Sequence, residues 1–268
     1  MSTLRPRILF ENQHVIAINK HAGQSFHGGP HIKGYFQHMK EILMDEHFYD
    51  ESGIDLYPVH RLDAITSGVL LMAKNKASAR EFQELFAAGT HIHKYYVALS
   101  DRKPRKKMGT ISGDVVKGRR GSYKLTQSRD SPSVTKFVSK KIILQDGSPE
   151  DMKSLYFFLV KPITGKTHQI RVAMKSLGSP ILGDGRYGCA SQASHQERGH
   201  LHCAAIRCTI AGDSIEIICN PCEDGGYFQS TECSTIFTDE WFSPENTQRQ
   251  HLWFPKLSLL SSSLSAHP

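Results

Sequence analysis

Apolar positions recur along this chain at two spacings, and the spacing separates strands from helices. Residues 8–20 hold two short β-rich runs around a polar turn, predicting paired strands. Residues 23–34 are rich in Gly and His and predict a loop. Phe36, Met39 and Leu43 predict a helix over 35–44. Short extended runs follow at 57–62 and 68–73. Ala79, Phe82, Leu85 and Phe86 return at helical spacing, and Gly89 is the predicted stop. Residues 94–99 predict a strand that alternates. Lys94, Tyr96 and Ala98 share one face, and Tyr95, Val97 and Leu99 the other. Strands are predicted at 134–144, 154–160, 201–210 and 214–218, and a helix at 167–177 closed by Gly178. Strands and helices mix without strict βαβ alternation. The expected class is α+β with a mixed sheet.

At 268 residues, the chain is long enough for a large core. No apolar run approaches the ~20 residues of a membrane helix, and no signal-peptide stretch follows the basic N-terminus. A soluble, cytoplasmic protein is expected. After residue 228 the composition shifts to Ser, Thr, Pro and Gln, so the expectation is a folded unit over 1–228 and a poorly ordered tail over 229–268. Trp241, Phe242, Trp253 and Phe254 are the tail residues able to dock on the body.

Charge sharpens this picture. The net charge is +7. Residues 102–141 contain thirteen Lys and Arg against only Asp114 and Asp130, a local charge of +11 on a body of −4. A concentrated basic block fits a polyanion such as nucleic acid, and it equally fits a solvated basic hairpin. The six cysteines are expected as reduced thiols. Cys219 and Cys222 have CxxC spacing, but the second pair of a structural zinc site is missing. No metal is expected.

Three segments carry candidate chemistry. In His60-Arg61-Leu62-Asp63-Ala64-Ile65-Thr66-Ser67-Gly68, Arg61 and Asp63 share parity on an extended backbone. They fit either a structural ion pair or a carboxylate steadied at a cleft. In Thr164-Gly165-Lys166-Thr167-His168-Gln169-Ile170-Arg171 a glycine turn feeds a helix. Val160 stands where a phosphate-binding loop needs its first glycine, so that motif fails. Lys166, His168 and Arg171 remain as an anion-facing helix start or an ordinary basic face. The third is Lys94-Tyr95-Tyr96-Val97-Ala98, where Tyr96 can stack on a base or simply fill a half-buried strand position.

Taken in order, these segments resemble the RluA family of pseudouridine synthases. Residues 60–68 resemble its HRLDxxTSG motif, residues 94–98 its KxYxA strand, and residues 164–171 its TGRTHQIR segment with Lys166 for Arg. Residues 182–188 resemble its LGDxxYG turn and Leu201-His202 its LH pair. Residues 19–23 are similar to its NKPAG opening, with His21 for Pro. The resemblance spans residues 8 to about 222. It implies an α+β catalytic domain whose mixed, mostly antiparallel sheet has flanking helices and an RNA-binding cleft. It also implies isomerisation of uridine to pseudouridine in ribosomal or transfer RNA.

By motif position, the resemblance makes Asp63 the catalytic carboxylate. Arg61 would replace the flipped uridine in the RNA, and Tyr96 would stack on the uracil and move a proton. Arg171 would pair with Asp63, and Ile170 would line the uracil pocket. His60, Lys166 and His168 fall in the same motifs and are RNA-contact candidates. The family often carries a small basic module ahead of this domain. Here the first motif begins within twenty residues of Met1, so target selection is expected from the basic block, with Lys103, Arg105, Lys106 and Lys107 as its candidates. The reaction is redox neutral, so no cofactor is expected, and a monomer is. An RNA-binding or RNA-folding chaperone with dispensable catalysis is the competing function.

Overall fold

The structure, a computed structural model, describes residues 6–28, 33–45, 55–89, 91–144 and 154–243. Its frame is a ten-stranded mixed sheet. Strands β1 (Ile8–Glu11) and β2 (Val15–Lys20) form the predicted hairpin around Asn12, whose side-chain oxygen accepts the His14 and Val15 N–H groups. Helix α1 (Tyr35–Asp45) and the two-residue β3 (Tyr57–Pro58) precede β4 (Thr66–Ala73), which is buried throughout. Helix α2 (Lys76–Ala88) begins at Asn75, whose side chain accepts the Ser78 N–H. It ends at Gly89 with φ of 68°, a left-handed cap that glycine adopts at low cost. Strand β5 (Ile92–Ser100) leads into β6 (Met108–Gly113) and the small hairpin β7 (Val115–Lys117) and β8 (Tyr123–Leu125). Long strands β9 (Ser133–Ile143) and β10 (Ser154–Pro162) come next, then helix α3 (Gln169–Ser176), the short helix α4 (Ala190–Ala193), and strands β11 (Leu201–Ile210) and β12 (Asp213–Ile218).

The strand order is β1-β2-β4-β11-β5-β10-β9-β6, with β12 on β11 and β3 on β4. Pairing is antiparallel except where Leu201, His202 and Cys203 run parallel to Thr66, Ser67 and Gly68. Backbones meet closely there. A Cβ on Gly68 would lie 2.3 Å from the Cys203 carbonyl oxygen, so only glycine fits.

The sheet is buried on both faces. On β5, Tyr96 and Ala98 join the core shared with α1, α2 and α3, while Tyr95, Val97 and Leu99 join a second core on the opposite face. The alternation read from the sequence is the observed one. The second core is closed by the segment after residue 228. Residues Thr231–Thr235 form helix α5 and Ile236–Trp241 a π-helical turn. Cys233, Phe237 and Trp241 are buried, and Trp241 stacks on Phe157 with ring centroids 4.8 Å apart. The expected disordered tail therefore does not begin at 229, because the apolar back face of β5 and β10 needs this cover. Trp253 and Phe254 lie outside the described residues. Among the described residues no helix is long and apolar enough to cross a membrane.

Candidate active site

Asp63 sits in the loop between β3 and β4, on a wall shared by two adjoining cavities of about 310 and 430 Å3. The first is lined by Tyr96, Ile170, Phe86, Lys94 and the 164–171 turn. The second runs along His27, Arg61, Asp184 and Arg186. Arg171, from the first turn of α3, donates from Nη1 to Asp63 Oδ2 at 3.0 Å. Its other side is gripped by Asp184, with Nε to Oδ2 at 2.8 Å and Nη2 to Oδ1 at 2.9 Å. Asp184 Oδ1 also accepts the Arg186 and Tyr187 backbone N–H groups. Arg171 and Asp184 are both buried, whereas the Asp63 side chain is 23% exposed. A bidentate ion pair thus aims one spare guanidinium N–H at Asp63, the carboxylate that lines both cavities.

The loop that carries Asp63 is clamped from behind. Lys20 is completely buried, and its ammonium donates to the His21 and Thr66 carbonyls at 2.9 Å each and reaches the Asp63 carbonyl at 3.5 Å. Burial and the neighbouring Arg198 charge lower its pKa to about 8, partly opposed by Asp63 and Asp224. Next to it lies a polar cluster around Asp224. Asn19 donates to Asp224, and the His21 and His202 rings lie 3.2 and 2.9 Å from its carboxylate. Burial alone would raise the Asp224 carboxyl, but these partners hold it well below the usual range.

Tyr96 lies on the cavity floor, 8% exposed. Burial, together with Cys203 across the strand pair, raises its phenol well above the ordinary value. It stays protonated at physiological pH, so it offers a flat face and a neutral hydroxyl rather than a phenolate base. Ile170 lies on the same wall. Arg61 is exposed at the mouth, with Nη1 3.3 Å from His27 Nε2.

His60 is placed differently. Its Nε2 accepts the Leu71 N–H at 3.0 Å and its ring stacks on Phe86, so one ring nitrogen is committed to the fold while the residue lines the first cavity. Burial and the Lys94 charge lower its pKa to about 3. Gln169 is likewise consumed. Its Oε1 accepts from Thr164 and Lys166, and its amide donates to Val134 and Thr135. Those bonds build the turn at 164–168, which delays α3 to Gln169, two residues past the predicted start.

The basic block divides. Residues 102–107 are exposed except for Pro104, and the Arg105 N–H is bound by the Leu177 carbonyl beyond the far end of α3. None of Lys103, Arg105, Lys106 and Lys107 lines either cavity. The β7–β8 hairpin, by contrast, is tied to the rim. Arg186 donates to the Arg120 carbonyl, Lys166 Nζ donates to Ser131 Oγ, and the Tyr123 N–H donates to the Tyr187 hydroxyl. His168, the residue before α3, lies 2.8 Å from that hydroxyl and 3.9 Å from Asp63 Oδ2.

Motif order alone gave no role to Lys20, Asp184 or Tyr187. An acid in a Gly-Asp-Gly turn and a lysine ending a largely apolar strand are the signals that could have marked the first two. Together these residues form a class of site able to take a flat base against a partly exposed carboxylate, with Arg61 and Lys166 beside it.

Comparison with known proteins narrows the class. Residues 14–176 match the sequence model for RNA pseudouridylate synthase. A Haemophilus influenzae protein described as an uncharacterized RNA pseudouridine synthase is 38% identical over 84% of this chain and 91% of its own. The ribosomal large subunit pseudouridine synthase C of Vibrio vulnificus is 33% identical over 78% of this chain, which spans 63% of that relative's length. The solved structure of human RNA pseudouridylate synthase domain containing 1 shares the fold, with a TM-score of 0.65 and 24% identity over 82% of this chain and 84% of that one. The chain belongs to the RNA pseudouridylate synthase family, the isomerases that convert uridine to pseudouridine in RNA.

Proposed function

We propose that this enzyme isomerises uridine in ribosomal RNA of the large subunit, with Asp63 as the acting carboxylate. The observation that carries the reading is Asp63 itself, one partly exposed carboxylate bonded by Arg171, which Asp184 grips in turn, at the edge of a cavity lined by Tyr96. The reaction breaks the C1′–N1 bond, turns the uracil and joins C5 to C1′. C5 loses its proton and N1 ends protonated, so atoms and electrons balance within the nucleotide. A carboxylate can attack C1′ or take a sugar proton. Tyr96 and Ile170 would sandwich the freed uracil so that it turns without leaving. A base inside a folded RNA must first flip out, at a cost of a few kcal/mol. Arg61, exposed at the mouth, is suited to fill the gap it leaves.

The ribosomal target is supported by the name of the Vibrio relative. The hairpin cations Lys117, Arg119, Arg120 and Lys124, with Lys166 and Arg186 at the rim, are proposed to hold the phosphate backbone. Lys103, Arg105, Lys106 and Lys107 would reach only RNA that extends past α3. On this reading the enzyme works in the cytoplasm as a monomer.

The experiment maps pseudouridine in total RNA from cells with and without the gene, rescued by wild type or Asp63→Asn. A large-subunit site that vanishes on deletion and returns only with wild type is the expected result. A site confined to transfer RNA would replace the proposed substrate. Equal rescue by Asp63→Asn would overturn the catalytic assignment.

A further inference from the structure

His168 adopts a backbone conformation that residues with a Cβ rarely take, with φ of 54° and ψ of 21°. Such strain persists only where surroundings fix the residue, and here they do. The ring lies edge-on to Tyr123 and Tyr187, with centroids 5.4 and 5.6 Å away. Nδ1 is 2.8 Å from the Tyr187 hydroxyl oxygen. That oxygen already accepts the Tyr123 backbone N–H at 2.9 Å, a donor whose direction cannot reverse. Among the described residues His168 Nδ1 is the acceptor within reach of the hydroxyl proton, and the bond in that direction gives the hydroxyl a partner for both its lone pair and its proton. Burial, with the Arg171 and Arg186 charges, keeps the imidazole below its ordinary pKa against the pull of Asp63. A neutral ring that accepts at Nδ1 carries its proton on Nε2.

Nε2 lies 3.9 Å from Asp63 Oδ2, too far for a hydrogen bond between them. One oxygen can lie within bonding distance of both. It would need to accept from Nε2–H and donate to the carboxylate, which a water does before substrate binds and a substrate hydroxyl can do in its place. Asp63 Oδ2 has a lone pair left for it beside the bond from Arg171. Resting on the functional reading above, the nucleotide at this carboxylate is a uridine in RNA. The group that separates its sugar from deoxyribose is the 2′-hydroxyl, donor and acceptor at once.

We propose that His168 Nε2–H and Asp63 Oδ2 form a two-point reader of the target ribose 2′-hydroxyl, and that Tyr187 is the positioning residue that fixes the His168 tautomer. The β7–β8 hairpin is part of this device, because its Tyr123 N–H sets the direction of the chain.

Two measurements test it. The first is the long-range 1H–15N spectrum of the His168 imidazole in the full-length protein without RNA. Wild type should show a protonated Nε2 and an unprotonated Nδ1, and Tyr187→Phe should show a mixture of tautomers. An Nδ1–H ring in wild type, or an unchanged spectrum in Tyr187→Phe, would overturn the proposal whatever the enzyme's substrate. The second is single-turnover isomerisation of a transcript spanning the mapped uridine, against a copy with 2′-deoxyuridine at that position alone. Wild type should favour the ribose by about tenfold, the worth of one ordinary hydrogen bond. In Tyr187→Phe the preference should shrink toward unity. His168→Gln, whose amide supplies a donor without a tautomer, should keep part of the preference and be indifferent to Tyr187→Phe. Equal wild-type rates on the two transcripts, or equal losses on both in Tyr187→Phe, would sink the proposal. A wild-type enzyme inactive on both would sink the functional reading instead and leave the spectrum to decide the tautomer.

Discussion

Asp184→Asn tests whether the site is built as a chain of charges. Asp184 is fully buried and makes two bonds to Arg171 and two to the Arg186 and Tyr187 backbone. Asn keeps the shape and one carbonyl oxygen, enough for the backbone donors on Oδ1. Its NH2 group then faces the Arg171 Nε–H, donor against donor. Breaking one side of a buried ion pair typically costs about 3–5 kcal/mol, because the remaining charge stays desolvated. Asn retains part of the contact and Asp63 still faces Arg171, so the lower end, about 3 kcal/mol, is expected. A domain with ~5–15 kcal/mol of stability would still fold. The larger effect should fall on turnover. Freed from Asp184, the guanidinium can swing toward Asp63, and a shift of ~1 Å in a reacting group costs on the order of 100-fold. Urea unfolding should show a lower midpoint with an unchanged slope. Tritium release from RNA labelled at uridine C5 should fall about 100-fold with little change in RNA affinity. Adding Arg171→Met removes the stranded charge, so the double variant should be more stable than the sum of the single losses by ~1 kcal/mol or more. A loss below ~1 kcal/mol with near-normal turnover, or strict additivity, would refute the idea that Asp184 holds Arg171 in place.

The same structure makes further predictions. His60 is neutral when folded and titrates near 3, against an ordinary 6.5. Unfolded chains therefore bind more protons between those values, and stability should fall as pH drops through that window, by up to a few kcal/mol from this residue. His60→Gln, which keeps an acceptor for the Leu71 N–H, should flatten the decline in urea midpoint between pH 6.5 and 4; an unchanged slope would count against the assignment. Lys20→Met strands three carbonyls near the Asp63 loop and should lower turnover more than RNA binding, read by separate kcat and KM measurements. Trp241→Ala should cost about 3–5 kcal/mol in urea unfolding, and ending the chain at Phe228 should leave it insoluble or readily proteolysed; a stable 1–228 fragment would contradict the packing of Trp241 on Phe157. Replacing Lys117, Arg119, Arg120 and Lys124 with Ala should weaken RNA binding and reduce its salt dependence, more than the same change at Lys103, Arg105, Lys106 and Lys107; the reverse order would return target binding to the loop beyond α3.

Much of the fold was written in local pattern. The period-two alternation of β5 assigned Tyr96 and Tyr95 to opposite faces, and those faces are the cleft floor and the second core. Gly89 stopped α2 through its own backbone freedom, which needs no tertiary information. Asp63, Tyr96 and Arg171 were singled out by the motif resemblance rather than by local pattern, and the fold brings their elements to one cavity. What escaped depended on contacts far apart in the chain. Lys20 looks like the exposed end of a strand until Thr66 and His21 fold over it. Asp184 looks like a turn residue until α3 arrives with Arg171. Composition misled at residues 231–241, which are helical although counted with the tail. Ser230 accepts the Cys233 N–H and starts the helix that seals the back of the sheet. Charge counting misled in the same way. A +11 block is one number in sequence, but the fold spreads it out: the Arg105 N–H is bound beyond the end of α3, while the β7–β8 hairpin bonds to Arg186 and Tyr187. A residue's chemistry was readable wherever its partner lay within a turn or on the next strand position. It was hidden for Lys20 and Asp184, whose partners come from other elements: Asp184 grips the Arg171 that bonds Asp63, and Lys20 holds the loop behind it.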